Sequence, residues 1–141
     1  MTKEIINPWT YEAKFGAMQA KKIANCFVQA NKITNVQLML FSAGIVSIDE
    51  DGNLLHAGDM KKQINQIFDN IETILRQADL QLSDIVKLTY YTTDVSAFSE
   101  AVEVLINRLE KGGCNPATTT LGVASLFHPD CLVEIEATVV K

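Results

Sequence analysis

Arginine is nearly missing from this chain: among 141 residues only positions 76 and 108 carry it. Lys and Arg together number 12 against 17 Asp and Glu, a formal charge of −5, and no basic block interrupts that balance. Gripping a phosphate backbone needs clustered Lys and Arg, so nucleic acid is not an expected partner. No apolar run approaches the ~20 residues of a membrane-spanning helix. The opening MTKEIINPWTYE lacks the apolar stretch of a secretory signal. A cytoplasmic location without a membrane partner is therefore expected. The three cysteines, Cys26, Cys114 and Cys131, are odd in number and widely spaced, with no CxxC. They read as free thiols, buried or partly buried. His56 and His128 fall in expected loops, each without a second ligand at a diagnostic spacing, so no metal site is expected.

What is present is a folding pattern. Hydrophobic residues make up 48% of the chain and no long polar tract divides it, which fits one domain over residues 1–141. Residues 1–25 form an N-terminal arm that reads equally as extended chain or short helix. CFVQANKI and QLMLFSAG are apolar-rich runs of strand length separated by TNV, and a hairpin is the simplest link between them. Asp51-Gly52 marks a turn in the stretch that follows. Asp59 reads as an N-cap. After it Ile64, Ile67, Phe68, Ile71, Ile74, Leu75 and Ala78 recur in steps of three and four, one stripe on a helix of about five turns. LSDIVKLTYYTTD is the next strand. A second helix, capped by Ser96, carries Phe98, Val102, Leu105, Ile106 and Leu109 and ends at Gly112-Gly113.

The last two strands are ATTTLGVASL and CLVEIEATVV. In the second, Cys131, Val133, Ile135, Ala137 and Val139 face one way, while Leu132, Glu134, Glu136, Thr138 and Val140 face the other. Two helices with single apolar stripes must cover one face of one sheet. The expected fold is an α+β two-layer sandwich, a mixed sheet of about six strands with both helices on one side. The second sheet face is expected to collect Thr118, Thr120, Glu134 and Glu136 among apolar neighbours. Such a mixed face suits self-association, with a small-molecule pocket lined by the same side chains.

FSAGIVSIDEDGNLLHAGDMKKQINQIFDNIETILRQADLQLSDIVKLTYYTTDVSAF, followed by NPATTT and LVEIEA, resembles the RidA/YjgF family of reactive-intermediate deaminases over roughly residues 26–141. The resemblance implies a chorismate-mutase-like fold and a homotrimer whose sheets face inward, with pockets between neighbouring subunits. Active members of that family hydrolyse small imines and enamines to ketoacids and ammonia, without metal or cofactor. An arginine of a PARS-type motif clamps the substrate carboxylate. A backbone amide and carbonyl position substrate and water, a glutamate of the last strand orients the water, and an aromatic of a YSQA-type motif covers the pocket.

Carried over residue by residue, CFVQA places Phe27 where a tyrosine is common. FSAGI places Ala43 and Gly44 at the backbone site, with Ala43 and Ile45 in place of serine and glutamine. LVEIEA places Glu134 as the catalytic glutamate. PATTT departs most: Thr118 stands where the arginine belongs, and Thr120 where a cysteine is frequent. Both arginines of the chain are expected in helices on the far side of the sheet, which leaves Lys87 as a distant stand-in. The threonines also admit a purely structural reading, since Thr is a good strand former. Phe27 reads equally as core or as lid. Two functional classes follow. One is an imine or enamine deaminase of substrates other than standard 2-iminoacids. The other is a non-catalytic trimer that binds a metabolite or protects other proteins. A ribonuclease label sometimes attached to the family fits poorly with the acidic balance and the lack of a His/Lys/Arg cluster.

Overall fold

In the computed structural model, the residues described are 1–8 and 28–141. The elements run β1 (Thr2–Ile6), β2 (Ala30–Thr34), β3 (Met39–Phe41), α1 (Met60–Gln77), a 3-10 turn (Leu82–Asp84), β4 (Ile85–Thr92), α2 (Val95–Lys111), β5 (Ala117–Gly122) and β6 (Val133–Val140). A mixed four-stranded sheet has the order β3-β6-β4-β5, with β4 and β5 parallel and the other neighbours antiparallel. The fold is α+β, with two helices packed on a mixed sheet. Six strands are described, but they are not the six expected: β1 arises in the N-terminal arm, the stretch after Gly44 forms no full strand, and β1 and β2 form a separate antiparallel ribbon, which leaves four strands in the main sheet.

The helices form where the apolar spacing put them. Asp59 caps α1, its Oδ1 accepting from the Lys62 amide at 3.0 Å. The inward face of α1 carries Ile64, Ile67, Phe68, Ile71 and Leu75, all buried, against Leu88 of β4 and Val133, Ile135 and Val139 of β6. The cap of α2 is Asp94 and not Ser96. Asp94 is in extended conformation and its Oδ1 accepts from the Ala97 amide at 2.9 Å, whereas Ser96 already lies in the first turn. Gly113, at φ 62°, ends that helix and lets Cys114 N–H reach the Leu109 carbonyl.

The expected hairpin between the first two apolar runs does not form. β2 pairs with β1, and β3 pairs with β6 at the opposite edge of the sheet. Two interactions account for this. The amide of Asn31 donates to the carbonyls of Val86 (2.8 Å) and Asn115 (3.2 Å), where a bulge between Ile85 and Lys87 breaks the β4–β6 ladder. Val28 bridges Ala117 in parallel. β2 is thereby tied to the β4–β5 side. At the other end, Gln37 and Leu38 N–H both donate to the Lys141 carbonyl and start β3 along β6. The turn at Asp51-Gly52 forms as expected, with Gly52 at φ 83° and Asp49 accepting from the Asp51 and Asn53 amides. Around it there is no full strand, only the Ile48–Leu54 bridge.

Candidate functional site

The two faces of the sheet differ in chemistry. Val133, Ile135, Ala137 and Val139 of β6 are buried under the helices. Glu134, Glu136 and Thr138 lie on the open face, half-buried. Register extends this face across β4, since Tyr91 stands opposite Glu134, Thr89 opposite Glu136 and Lys87 opposite Thr138. On β5 the partners of those residues are Ala117, Thr119 and Leu121. The middle threonine of the triplet, Thr119, therefore shares the face with the glutamates. Thr118 and Thr120 pair with Leu88 and Tyr90 and belong to the helix side of this edge strand. The expectation that Thr118 and Thr120 join Glu134 and Glu136 on one face of one chain is corrected by this register. A strand's period of two fixes which residues alternate, but which set faces inward is decided by a neighbouring strand.

Glu134 is set by a glycine. A Cβ built on Gly44 would fall 1.7 Å from its Oε1 and 2.6 Å from its Cδ, so the carboxylate occupies the space that any side chain at 44 would fill. The backbone explains the approach. Phe41 pairs with Thr138 and Ile45 with Ile135, which sets four steps along β3 and its extension against three along β6. The extra residue makes a bulge. Ser42 N–H donates to the Ala137 carbonyl and Ile45 N–H to that of Ile135, while the Ser42 hydroxyl accepts from Ala137 N–H and donates to the Ala43 carbonyl. The amides of Ala43 and Gly44 take no part in these bonds. Gly44 and Glu134 are thus brought together, with Ala43 next to Gly44 along the chain. Phe27 lies outside the described residues.

Beside this corner the Tyr91 hydroxyl donates to Glu136 Oε1 at 2.7 Å. That hydrogen bond, reinforced by partial desolvation and by the charges of Glu136 and Glu134, pushes the Tyr91 phenol above its usual range. Among the described residues no donor meets the Glu134 carboxylate, and Lys87 meets no carboxylate; its ammonium donates to Thr119 Oγ1 at 2.6 Å. Both arginines are on helices. Arg108 is held by Asp69 (2.8 Å) and Glu72 (2.5 Å) over the ring of Phe68, and Arg76 donates to Thr73 within α1. Among the described residues no three His, Cys, Asp or Glu side chains converge on a metal-sized space. Cys114 and Cys131 are buried thiols; burial pushes Cys114 up to about 12 and raises Cys131 as well. Sequence reasoning missed the Tyr91–Glu136 pair, although the alternation of TYYT against VEIE held the signal.

The class is that of two-layer α+β domains, here with a strand carboxylate pressed against a glycine bulge. Residues 18–141 match the family model described as Endoribonuclease L-PSP. A RutC family protein of Pyrococcus abyssi is 33% identical over 123 residues, covering 87% of this chain and 92% of that protein. One of Aquifex aeolicus is 35% identical over 111 residues, covering 79% and 87%. The Rid-family protein YyfB of Yersinia pestis superposes with a TM-score of 0.82 at 27% identity over 100% of both chains. TdcF of E. coli, solved with bound serine, gives a TM-score of 0.67 at 26% identity over 82% of this chain and 87% of its own. The chain belongs to the RidA/YjgF (Endoribonuclease L-PSP) family.

Proposed function

We propose that the chain self-associates as a trimer with small-molecule pockets between subunits, and that it hydrolyses an imine or enamine metabolite other than a standard 2-iminoacid. The observation that carries this is the Gly44–Glu134 corner: a carboxylate that meets no donor among the described residues, pressed against the Gly44 backbone on a half-polar open face. Glu134 accepts a proton from a water as that water adds to the C=N carbon. Glu134 delivers that proton to nitrogen, and the hydroxyl proton of the resulting carbinolamine then passes to nitrogen through the same carboxylate as the C–N bond breaks, so that ammonia leaves with a carbonyl product. No cofactor enters this scheme. The bound serine of the relative TdcF supports a ligand of amino-acid size. Phe27, by family resemblance, walls the pocket.

Substrate choice follows from Thr118 at the position of the family's arginine. A neutral hydroxyl in place of a guanidinium forfeits about 2–5 kcal/mol against a carboxylate, roughly 30- to 4,000-fold in affinity. Turnover of 2-aminoacrylate-type imines, measured as ammonia or ketoacid release from an imine generated in situ by an amino-acid oxidase, is expected to be weak. Thr118→Arg is expected to raise it, and Glu134→Ala in that background to remove the gain. Wild-type turnover equal to that of an arginine-bearing homologue would sink the clamp argument. The same missing cation supports a second reading, a trimer that binds a metabolite or protects other proteins without turnover. Ligand binding that survives Glu134→Ala, with no hydrolysis in any panel of imines, would favour it. Light scattering should give about three times the 15.6 kDa chain mass; a monomer at micromolar concentration would refute the intersubunit pocket.

A further inference from the structure

The bulge beside Glu134 is built by a side chain. Along β3 and β6, Leu38 and Lys141 exchange both backbone bonds (2.8 and 3.0 Å). In an antiparallel ladder such pairs recur at every second residue, which makes Ser42 and Ala137 a bonded pair. Half of that pair is regular, since Ser42 N–H donates to the Ala137 carbonyl at 2.9 Å. The return bond is not: Ala137 N–H donates at 2.8 Å to the Ser42 hydroxyl in place of the Ser42 carbonyl. The same hydroxyl donates to the Ala43 carbonyl at 2.7 Å. The Ser42 carbonyl and the amides of Ala43 and Gly44 meet no partner among the described residues. The ladder resumes one residue late, at Ile45 and Ile135, which again exchange both bonds (2.8 and 3.0 Å).

We propose that Ser42 is a positioning residue for Glu134: its hydroxyl, standing in the ladder for its own carbonyl, makes the bulge that presses Gly44 against the Glu134 carboxyl group. The effect on turnover rests on the hydrolytic reading above; the placement does not. A hydroxyl accepts one bond and donates another, and both are used here. By accepting from Ala137 N–H it displaces the carbonyl of its own residue, a local side-chain bond competing with the sheet. By donating to the Ala43 carbonyl it orients the next peptide, and a trans peptide points its N–H opposite to its C=O, so the Gly44 amide is fixed as well. Without the hydroxyl, the residue 42 carbonyl is free to reclaim Ala137 N–H, and the regular continuation of the ladder sets Gly44, and not Ile45, against Ile135. Gly44 then leaves the Glu134 carboxyl group. Ile45 packs on the core and holds the far end of the bulge, so the change falls on residues 42–44.

Two measurements separate placement from turnover. One α proton of Gly44 points along the absent Cβ, whose position is 2.8 Å from Glu134 Cγ, so isotope-labelled full chain should show a nuclear Overhauser contact between it and the Glu134 γ protons. Ser42→Ala should lose that contact and Ser42→Thr should keep it. Imine hydrolysis, measured as above in the Thr118→Arg background, should fall about ten- to a hundred-fold in kcat in Ser42→Ala, the scale of a reacting group misplaced by about 1 Å. KM should change little, since the carboxylate acts on water in the transition state. Ser42→Thr should restore kcat. Ser47→Ala controls for stability alone: Ser47 is fully buried and its hydroxyl donates to the Leu55 carbonyl at 2.9 Å, so its loss should lower the melting temperature and leave both the contact and kcat as they were. An unchanged contact in Ser42→Ala overturns the proposal. A lost contact with full kcat also overturns it and makes Ser42 structural only. If no chain, Thr118→Arg included, hydrolyses an imine, the hydrolytic reading fails by itself, and the contact still decides whether Ser42 places the carboxylate. Where Ser42→Ala does not fold, Ser42→Val against Ser42→Thr, alike in shape and differing in the hydroxyl, gives the same comparison.

Discussion

Gly44 and Glu134 are coupled sterically before they are coupled chemically. With a Cβ placed 1.7 Å from Oε1, Gly44→Ala forces the carboxylate to another rotamer or shifts the bulge. Overpacking of this kind costs about 1–3 kcal/mol. Thermal or urea unfolding should show that loss in Gly44→Ala and recover much of it in Gly44→Ala/Glu134→Ala, where the obstructing atoms are gone. Equal stability of wild type and Gly44→Ala would mean that the bulge yields freely and does not set the carboxylate. Tyr91 gives a second test at this scale. Its phenol is raised above the ordinary 10.0, chiefly by the hydrogen bond to Glu136. The folded state therefore holds the proton more tightly than the unfolded chain. The associated stability is present in full below pH 10 and is lost as pH rises past the raised folded value. Unfolding between pH 9 and 12 should show a steeper alkaline decline in wild type than in Tyr91→Phe, and parallel curves would contradict the bond. Cys114, pushed up to about 12, behaves likewise. At pH 8 its peptide should resist alkylation until the protein is unfolded.

The elements most legible in the sequence were those with one periodic face: α1 from its three-and-four spacing, α2 from the same pattern, and β6 from strict alternation. Each buries a continuous stripe, so local pattern and tertiary packing agree. The places where reading failed depend on a partner far along the chain. Asn31 fixes β2 by hydrogen bonds to carbonyls 55 and 84 residues away, and no local signal distinguishes that from a hairpin. Gln63 is the same kind of residue inside α1. It is fully buried, its amide nitrogen donating to the carbonyls of His56 (3.1 Å) and Asp130 (2.8 Å) and its oxygen accepting from Leu132 N–H (2.9 Å). It ties the segment before α1 and the loop entering β6 to the helix, and so positions the start of the strand that carries Glu134. Gln63→Leu keeps the bulk but strands the Asp130 carbonyl and the Leu132 N–H, at about 1–3 kcal/mol for each buried group left unsatisfied, while the His56 carbonyl keeps the Asp59 N–H. Equilibrium unfolding should show a loss above 2 kcal/mol, and hydrogen exchange should show lost protection at Leu132 N–H. An unchanged midpoint would indicate that water substitutes for the side chain without cost.

At the scale of the whole molecule, the candidate site was only half visible. LVEIEA and FSAGI pointed to Glu134 and Gly44, and the fold brings these together. Thr118 and Thr120 lie across the edge of the sheet from them, because pairing with β4, and not composition, decides their face. The family's printed description, Endoribonuclease L-PSP, raises a separate question that charge answers. The chain carries −5 overall. Arg108 is engaged by two carboxylates and Lys32 by Glu4. The open face presents Lys87 beside two glutamates. Binding to RNA at physiological salt draws mainly on counterions released as cations neutralise successive phosphates, and among the described residues no row of free cations follows a groove. Fluorescence anisotropy with a labelled single-stranded RNA at ~150 mM salt, near the physiological value, should show no saturable binding up to tens of micromolar protein, a range loosely set by typical non-specific affinities. Lowering the salt should yield at most weak, non-saturating signal. A dissociation constant in the low micromolar range that weakens steeply with salt would reveal a basic surface created by assembly, and would reopen the nuclease reading that the family's description carries.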